Sequence, residues 1–370
     1  MGTHHPHVPV KGRGATFNPE NRFRHDTREA VDDGWAPACA EDGPKGEGNE
    51  LPPLKTTVTI QRSRTIIARN TSPDIAFNQS INPYQGCEHG CVYCYARPTH
   101  AYLDLSPGLD FETKLFAKPN AAALLTAELA KPGYVCDAIA MGTNTDPYQP
   151  IEREWKITRQ ILEVLSACEH PVSIVTKSAL VERDIDLLAR MAAKKLARVY
   201  VSITTLDRDL ARKLEPRAAA PHRRLAAVKA LSDAGIPVGV MTAPIIPQLT
   251  DKDLEAILDA ASANGARHAG WTMVRLPHEV KDLFRDWLAQ HYPLRAEHVM
   301  SVIQQMRGGR DNDPQFGSRM RGEGLFAELI SRRFDLACQR LGLNREREPM
   351  DTSRFKPPRT DAQRAQLTLF

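Results

Sequence analysis

Residues 82–97 read NPYQGCEHGCVYCYAR and place Cys87, Cys91 and Cys94 at the spacing C-x3-C-x2-C. Three thiolates on one short loop suit three corners of a cubane iron–sulfur cluster. A fully ligated cluster needs a fourth cysteine, and none occurs nearby, so one iron is left as a coordination site for another molecule. Gly86 and Gly90 allow the tight backbone path that such a loop requires. Two other readings compete. A structural zinc calls for a fourth ligand and usually a paired half-site; His89 and His100 are candidates, but no CxxC or HxxxH partner follows. A ferredoxin-type cluster uses four cysteines at a different spacing. The spacing favours the open cluster.

Around this loop the chain repeats a strand–helix pattern. β-rich apolar runs occur at 76–82, 137–142, 172–176, 198–204, 237–243 and 267–274. Between them lie segments with helical spacing: Ile157, Ile161, Leu162 and Leu165; Ile185, Leu187, Leu188 and Met191; Leu225, Val228 and Leu231; Leu254, Ile257, Leu258 and Ala261. Gly235 and Pro237 mark a helix stop and a strand start. Such alternation predicts a parallel sheet flanked by helices, and six units are fewer than the eight of a closed barrel. A partial (β/α)6 barrel or an open doubly wound sheet fits, and either places functional residues at the C-terminal ends of strands.

The rest of the chain is read as additions to that core. Residues 1–54 are rich in Gly, Pro, Asn and charge and read as an extended arm or loosely ordered extension. Residues 57–67 (TVTIQRSRTII) read as an edge strand or hairpin arm. After Val280 helical spacing dominates, and 345–370 is a polar tail with a short apolar end. The expected units are an N-terminal extension over 1–70, a core over 71–285, a helical region over 286–345 and a flexible tail over 346–370. Mean hydropathy of −0.41 and the lack of any long apolar run or signal-peptide h-region argue against a secreted or membrane protein and predict a cytoplasmic one. Seven cysteines, three clustered and four scattered (Cys39, Cys136, Cys168, Cys338), then read as metal-binding rather than as a disulfide framework. Basic residues exceed acidic ones by 16 to 12 after residue 280 and match them at 33 each before it, so the whole excess lies in the C-terminal part. That permits an anionic partner without requiring one.

The cysteine motif after the first strand of a six-unit β/α domain resembles the radical S-adenosylmethionine (radical SAM) superfamily, whose habit of an aromatic before the third cysteine Tyr93 fits. More narrowly, NPYQGCEHGCVYCYAR resembles the branch containing spore photoproduct lyase, often labelled "DNA repair photolyase". The resemblance spans about Thr71 to Val280, and the flanking regions match only an uncharacterised subgroup. It implies a partial (β/α)6 TIM-type barrel, a [4Fe–4S] cluster on the three cysteines, and S-adenosyl-L-methionine chelating the open iron. It also implies a low-potential electron donor such as flavodoxin or ferredoxin. One electron then cleaves the sulfonium bond to give a 5′-deoxyadenosyl radical for hydrogen abstraction.

By the same resemblance Thr143, Asn144 and Asp146, at the end of the second major strand, hold the methionine amino and carboxylate groups. Lys177 and Ser202, at the next two strand ends, reach the cofactor, and Tyr93 and Tyr95 pack near adenine or the cluster. Asn144 and Asp146 also suit a helix cap before Pro147. Glu215 with Arg217 reads as a carboxylate–guanidinium pair that positions cofactor or substrate, or as a surface ion pair. One departure stands out. The lyase carries a hydrogen-donating cysteine near the place of Gly142; here the nearest, Cys136, precedes the strand, so repair through that donor is not expected.

The chain ends in Gln366-Leu367-Thr368-Leu369-Phe370, which resembles the pentapeptide by which bacterial replication and repair proteins dock on the sliding clamp. Three functions follow as candidates: a radical enzyme acting on nucleic acid or a nucleotide, one acting on a protein or small molecule, and a metal-stabilised, clamp-associated interaction module.

Overall fold

The computed structural model describes residues 10–23, 54–346 and 349–358. Strands β1 (Thr57–Ile60), β2 (Ile67–Arg69) and β3 (Gln79–Ile81) come first, then the short β4 (Tyr84–Gln85), helix α1 (Leu109–Thr113), β5 (Lys114–Ala117) and α2 (Ala121–Leu129). Strands and helices then alternate: β6 (Ile139–Met141), α3 (Glu152–Trp155) and α4 (Ile157–Ala167), β7 (Val172–Thr176), α5 (Ile185–Ala192), β8 (Ala197–Ser202). They continue with α6 (Arg208–Leu214) and α7 (Pro221–Asp233), β9 (Val238–Ile245), α8 (Leu254–Ala263) and β10 (His268–Met273). Helices α9 (Val280–His291), α10 (Ala296–Gln305), α11 (Ser318–Arg321) and α12 (Leu325–Leu341) follow.

The main sheet runs β10-β9-β8-β7-β6-β3-β2, with β2 and β10 as its open edges. β3 and β6 to β10 are six parallel strands, the expected number, and β2 joins β3 antiparallel. The sheet does not close. Alternation along each strand sorts the side chains. Val172 and Ile174 of β7 and Val199 and Val201 of β8 are buried in one core with Ile161, Leu162 and Leu165 of α4 and Leu187, Leu188 and Met191 of α5. The intervening residues Ser173, Val175, Arg198 and Tyr200 are half-buried on the other face, and Lys177 and Ser202 continue that face at the C-terminal strand ends. Each helix segment foreseen from its spacing forms, because the apolar stripe it carries is the stripe that covers this sheet.

The 57–67 stretch supplies edge strands, one of the two forms expected: β1 pairs parallel with β5 at the edge of a separate three-stranded sheet, and β2 pairs with β3 at the edge of the main one. Two regions depart from expectation. Residues 10–23 contain no helix or strand, yet Arg13, Ala15, Thr16 and Asn21 are buried. Residues 349–358 are also held: Asp351 N–H donates to Lys195 O at 3.0 Å, Lys356 N–H to Cys168 O at 2.8 Å, and Phe355 packs against Tyr134 and His170. The clamp-like residues Gln366, Leu367, Leu369 and Phe370 lie outside the described residues, as does Cys39. No helix among the described residues is long and apolar enough to cross a membrane.

Candidate active site

The cysteine loop follows β3 at the C-terminal end of the sheet. Gly86 and Gly90 take the left-handed conformation with φ of +76° and +68°. A Cβ on Gly86 would stand 2.8 Å from Phe111 O, and one on Gly90 would stand 2.8 Å from Glu112 Oε2. The loop is tied by Cys87 N–H to Phe111 O at 3.0 Å, Val92 N–H to Leu214 O at 3.1 Å and Cys94 N–H to Cys91 O at 3.2 Å. Cys87 and Cys91 are buried, Cys94 is half-buried, and all three thiols are free. Burial pushes each thiol up, Cys91 to about 12, and the Asp146 carboxylate adds to the rise at Cys87. In the protein alone they are therefore protonated, and binding iron would displace the protons.

His89 and His100 are engaged elsewhere. His89 Nδ1 lies 3.4 Å from Asp146 Oδ2, and His100 Nε2 pairs with Lys114 O at 2.9 Å. Among the described residues no group of three or more His, Cys, Asp or Glu side chains converges tightly enough to hold a single metal ion.

The segment after β6 is stitched to this loop. Thr145 Oγ1 donates to Gly86 O at 2.7 Å, Gln149 Nε2 to Gly86 O at 3.2 Å, and Glu88 N–H to Gln149 Oε1 at 2.8 Å. Asn82, unnoticed in the sequence, accepts the Asn144 N–H at 3.0 Å and hydrogen-bonds the Thr143 hydroxyl at 3.2 Å. Tyr95 OH donates to Thr143 O. The Asn144 side chain makes no hydrogen bond among the described residues. Asp146 is already saturated: it accepts from the Lys177 N–H and Thr176 Oγ1, both at 2.7 Å, and from the Tyr148 N–H at 2.9 Å. Burial would raise its pKa, but His89 and these hydrogen bonds hold it down at about 2.

Lys177 and Ser202 meet, with Nζ to Oγ at 3.0 Å, and the ammonium stands 5.9 Å from the centre of the Tyr93 ring. Its charge works to lower the Cys91 and Cys94 pKa values against their burial. Below this pair lies a buried network. Glu215 accepts from Tyr93 OH, from Thr204 Oγ1 at 2.5 Å and from Arg224, whose guanidinium also donates to Ser202 O at 2.9 Å. Burial works to raise the Glu215 pKa, yet Arg224 and then Lys177 hold it at about 2. The expected partner Arg217 is not involved. It turns to Glu88, at 2.9 Å, because α7 begins at Pro221 and presents Arg224 on its first turn.

Gly142 has φ of +92°, and a Cβ there would stand 2.0 Å from Val175 O. No side chain fits at that place without moving backbone. Cys136 precedes β6 and lies at the opposite end of the strand. A cavity of about 530 Å³ also opens at that far end, between the starts of β8 to β10 and Met350, remote from the thiols.

The N-terminal arm supplies a wall that no sequence pattern announced. The buried Glu112 pairs with the fully buried Arg97, which in turn donates to Cys91 O at 2.9 Å. The same carboxylate accepts the Gly14 and Ala15 N–H groups at 3.0 and 2.8 Å, while Arg13 donates to Glu112 O at 2.9 Å. Gly14 is forced: a Cβ there would stand 1.8 Å from Gly90 O. Further along, Thr16 bonds Asp286 and Arg22 bonds Glu279 at 2.9 Å, so the arm joins the cysteine loop to α9. Gly14→Val is expected to lift the arm, strip two donors from a buried carboxylate and cost about 1–3 kcal/mol in urea unfolding. Trypsin should then cut after Arg13, which is protected in the native chain; unchanged stability and protection would contradict this.

The model of the Radical SAM superfamily matches residues 81–261. An uncharacterised protein of Mycobacterium tuberculosis is 40% identical over 231 residues, covering 61% of this chain and 68% of that one. An uncharacterised protein of Methanocaldococcus jannaschii is 32% identical over 171 residues, covering 46% and 61%. Spore photoproduct lyase complexed with dinucleoside spore photoproduct shares the fold, with a TM-score of 0.58 at 17% identity over 81% of this chain and 86% of that one. A variant of that lyase with bound AdoMet and dinucleoside spore photoproduct gives a TM-score of 0.55 at 16% identity, covering 77% and 80%. The chain belongs to the radical SAM superfamily. It is thus a radical SAM enzyme, with S-adenosylmethionine and an iron–sulfur cluster as its cofactors, and a purely structural, clamp-associated module is set aside.

Proposed function

We propose that Cys87, Cys91 and Cys94 each ligate one iron of a [4Fe–4S] cluster whose fourth iron is left to S-adenosylmethionine. The reading rests on one convergence: three free thiols, two buried and one half-buried, stand by the Lys177–Ser202 pair at the C-terminal end of a parallel sheet. The donor set suits the group. Three soft thiolates on one loop match iron–sulfur chemistry, and no other described cysteine lies near, Cys136 being at the far strand end and Cys168 and Cys338 in the helix–sheet core. When bound, the cofactors supply a 5′-deoxyadenosyl radical that takes a hydrogen atom from an unreactive carbon.

The chain's own work is positional. Lys177 presents a cation beside the thiols, Ser202 fixes that cation, and the unbonded Asn144 amide with the Thr143 loop offers polar contacts to the amino acid end of S-adenosylmethionine. Tyr93 and Tyr95 wall the cofactor space. Asp146 acts through other groups, holding the Lys177 backbone, and so serves as a positioning residue rather than a contact. Burial of the loop under the arm and α9 excludes water and oxygen. The reducing electron comes from a low-potential donor such as flavodoxin or ferredoxin.

DNA or a nucleotide is the substrate favoured here, supported by the likeness of the fold to a lyase solved with a dinucleoside photoproduct. Return of hydrogen by a cysteine at Gly142 is no part of this reading. After anaerobic reconstitution the protein should hold about four iron and four sulfide and release 5′-deoxyadenosine when given dithionite and S-adenosylmethionine. Absence of 5′-deoxyadenosine from cluster-loaded protein would overturn it.

A further inference from the structure

Arg275 stands two residues beyond the end of β10, at the same end of the sheet as Lys177 and Ser202. Its guanidinium carbon lies 5.5 Å from the centre of the Tyr95 ring, and one terminal nitrogen reaches Met320 Sδ at 3.8 Å. The Nε atom is buried without a hydrogen-bond partner, and no carboxylate pairs with Arg275 among the described residues. Burial and the nearby Arg319 charge both pull its pKa down. Asp74, the carboxylate that could relieve this, is committed to Arg319 through both oxygens, at 2.5 and 2.6 Å. The buried Arg307 adds a second positive charge, with its terminal nitrogens donating to Val274 O and Ser318 O and its Nε also unpartnered.

Arg275 is half-buried; a partly desolvated cation without a counterion carries a cost, and a fold keeps one most readily where an anion arrives to meet it. The planar fork of arginine matches the oxygens of a phosphate. Aromatic faces are at hand beside it. Tyr95 is 49% exposed, and Phe316, 58% exposed, lies under Arg319 at 4.6 Å. Guanidinium groups alternating with exposed rings hold phosphates while planar rings stack.

We propose that Arg275 receives a phosphate group that the substrate carries next to a planar ring, the chemistry of a nucleotide unit, free or within a strand. The proposal rests on the radical-enzyme reading of the same site.

The test is equilibrium binding, under anaerobic conditions, to cluster-loaded native protein, Arg275→Gln and Arg275→Lys. Four ligands are compared: thymidine, thymidine 5′-monophosphate, inorganic phosphate, and a labelled single strand of about ten nucleotides. Native protein should prefer the monophosphate over thymidine by about tenfold or more; Arg275→Gln should erase that preference and Arg275→Lys keep part of it. If the strand binds more tightly than the monophosphate, its salt slope should fall by about 0.7 in Arg275→Gln, pointing to nucleic acid; equal binding points to a free nucleotide. Native protein showing no preference for phosphate, or Arg275→Gln retaining the full preference with an unchanged melting temperature, would overturn the proposal. 5′-Deoxyadenosine formation measured on the same samples separates this failure from failure of the radical chemistry: its presence leaves the enzyme reading intact while the phosphate site falls.

Discussion

Cys87→Ala, Cys91→Ala and Cys94→Ala are each expected to lose the cluster and with it all reductive cleavage of S-adenosylmethionine. On the proposed assignment each thiol is the sole soft ligand for its corner, and no other described cysteine stands near enough to replace it. The loss should exceed the roughly 10–100-fold that removing an outer supporting group costs a metal site. The fold should survive, because the loop is held by backbone bonds to Phe111 and Leu214 and by Arg97 rather than by the sulfurs. Cys136→Ala, half-buried at the other end of β6, should retain cluster and cleavage. Iron content, visible absorbance and 5′-deoxyadenosine yield measure all four variants. Full cleavage by any of the first three would refute the ligand assignment.

Glu215→Ala is expected to destabilise the protein by about 3–5 kcal/mol, the usual result of stranding one member of a buried ion pair. Arg224 is 1% exposed and Glu215 2%, so water cannot reach in to solvate the cation left behind. The Tyr93 and Thr204 hydroxyls lose their acceptor at the same time. Adding Arg224→Met should recover a large part of the loss, giving a double-mutant cycle far from additive. Urea unfolding on matched cluster-free samples reads this directly. Additive effects would mean that the two side chains do not act as a unit. Because Glu215 anchors Tyr93 between Cys91 and Cys94, the single variant should also take up less iron than the native chain.

What the sequence disclosed follows from the range of the interactions involved. The six parallel strands and the helices α4, α5, α7 and α8 each carry a local period, and local periods survive in sequence. The cysteine loop is also local, its three thiols lying within eight residues. Lys177 and Ser202 were expected together from the resemblance at two strand ends, and the parallel sheet brings them within 3.0 Å across 25 residues. The arm was hidden for the opposite reason: Arg13, Gly14 and Ala15 meet Glu112 across 97 to 99 residues, through backbone groups that leave no pattern. Glu215 was paired with the wrong arginine because nearness in sequence favoured Arg217, whereas the turn into α7 brings Arg224 back. The Arg97 side chain reaches several backbone carbonyls, and that of Asn82 joins the Asn144 N–H to the Thr143 hydroxyl, roles no spacing encodes.

Electron paramagnetic resonance of the reconstituted, dithionite-reduced protein before and after adding S-adenosylmethionine tests the open iron itself. A reduced-cluster signal whose g values move on addition is expected, because in the proposed arrangement the cofactor's amino and carboxylate groups would reach an iron that no side chain holds. A cluster signal left unchanged by saturating S-adenosylmethionine, or a protein that takes up zinc and forms no cluster, would contradict it.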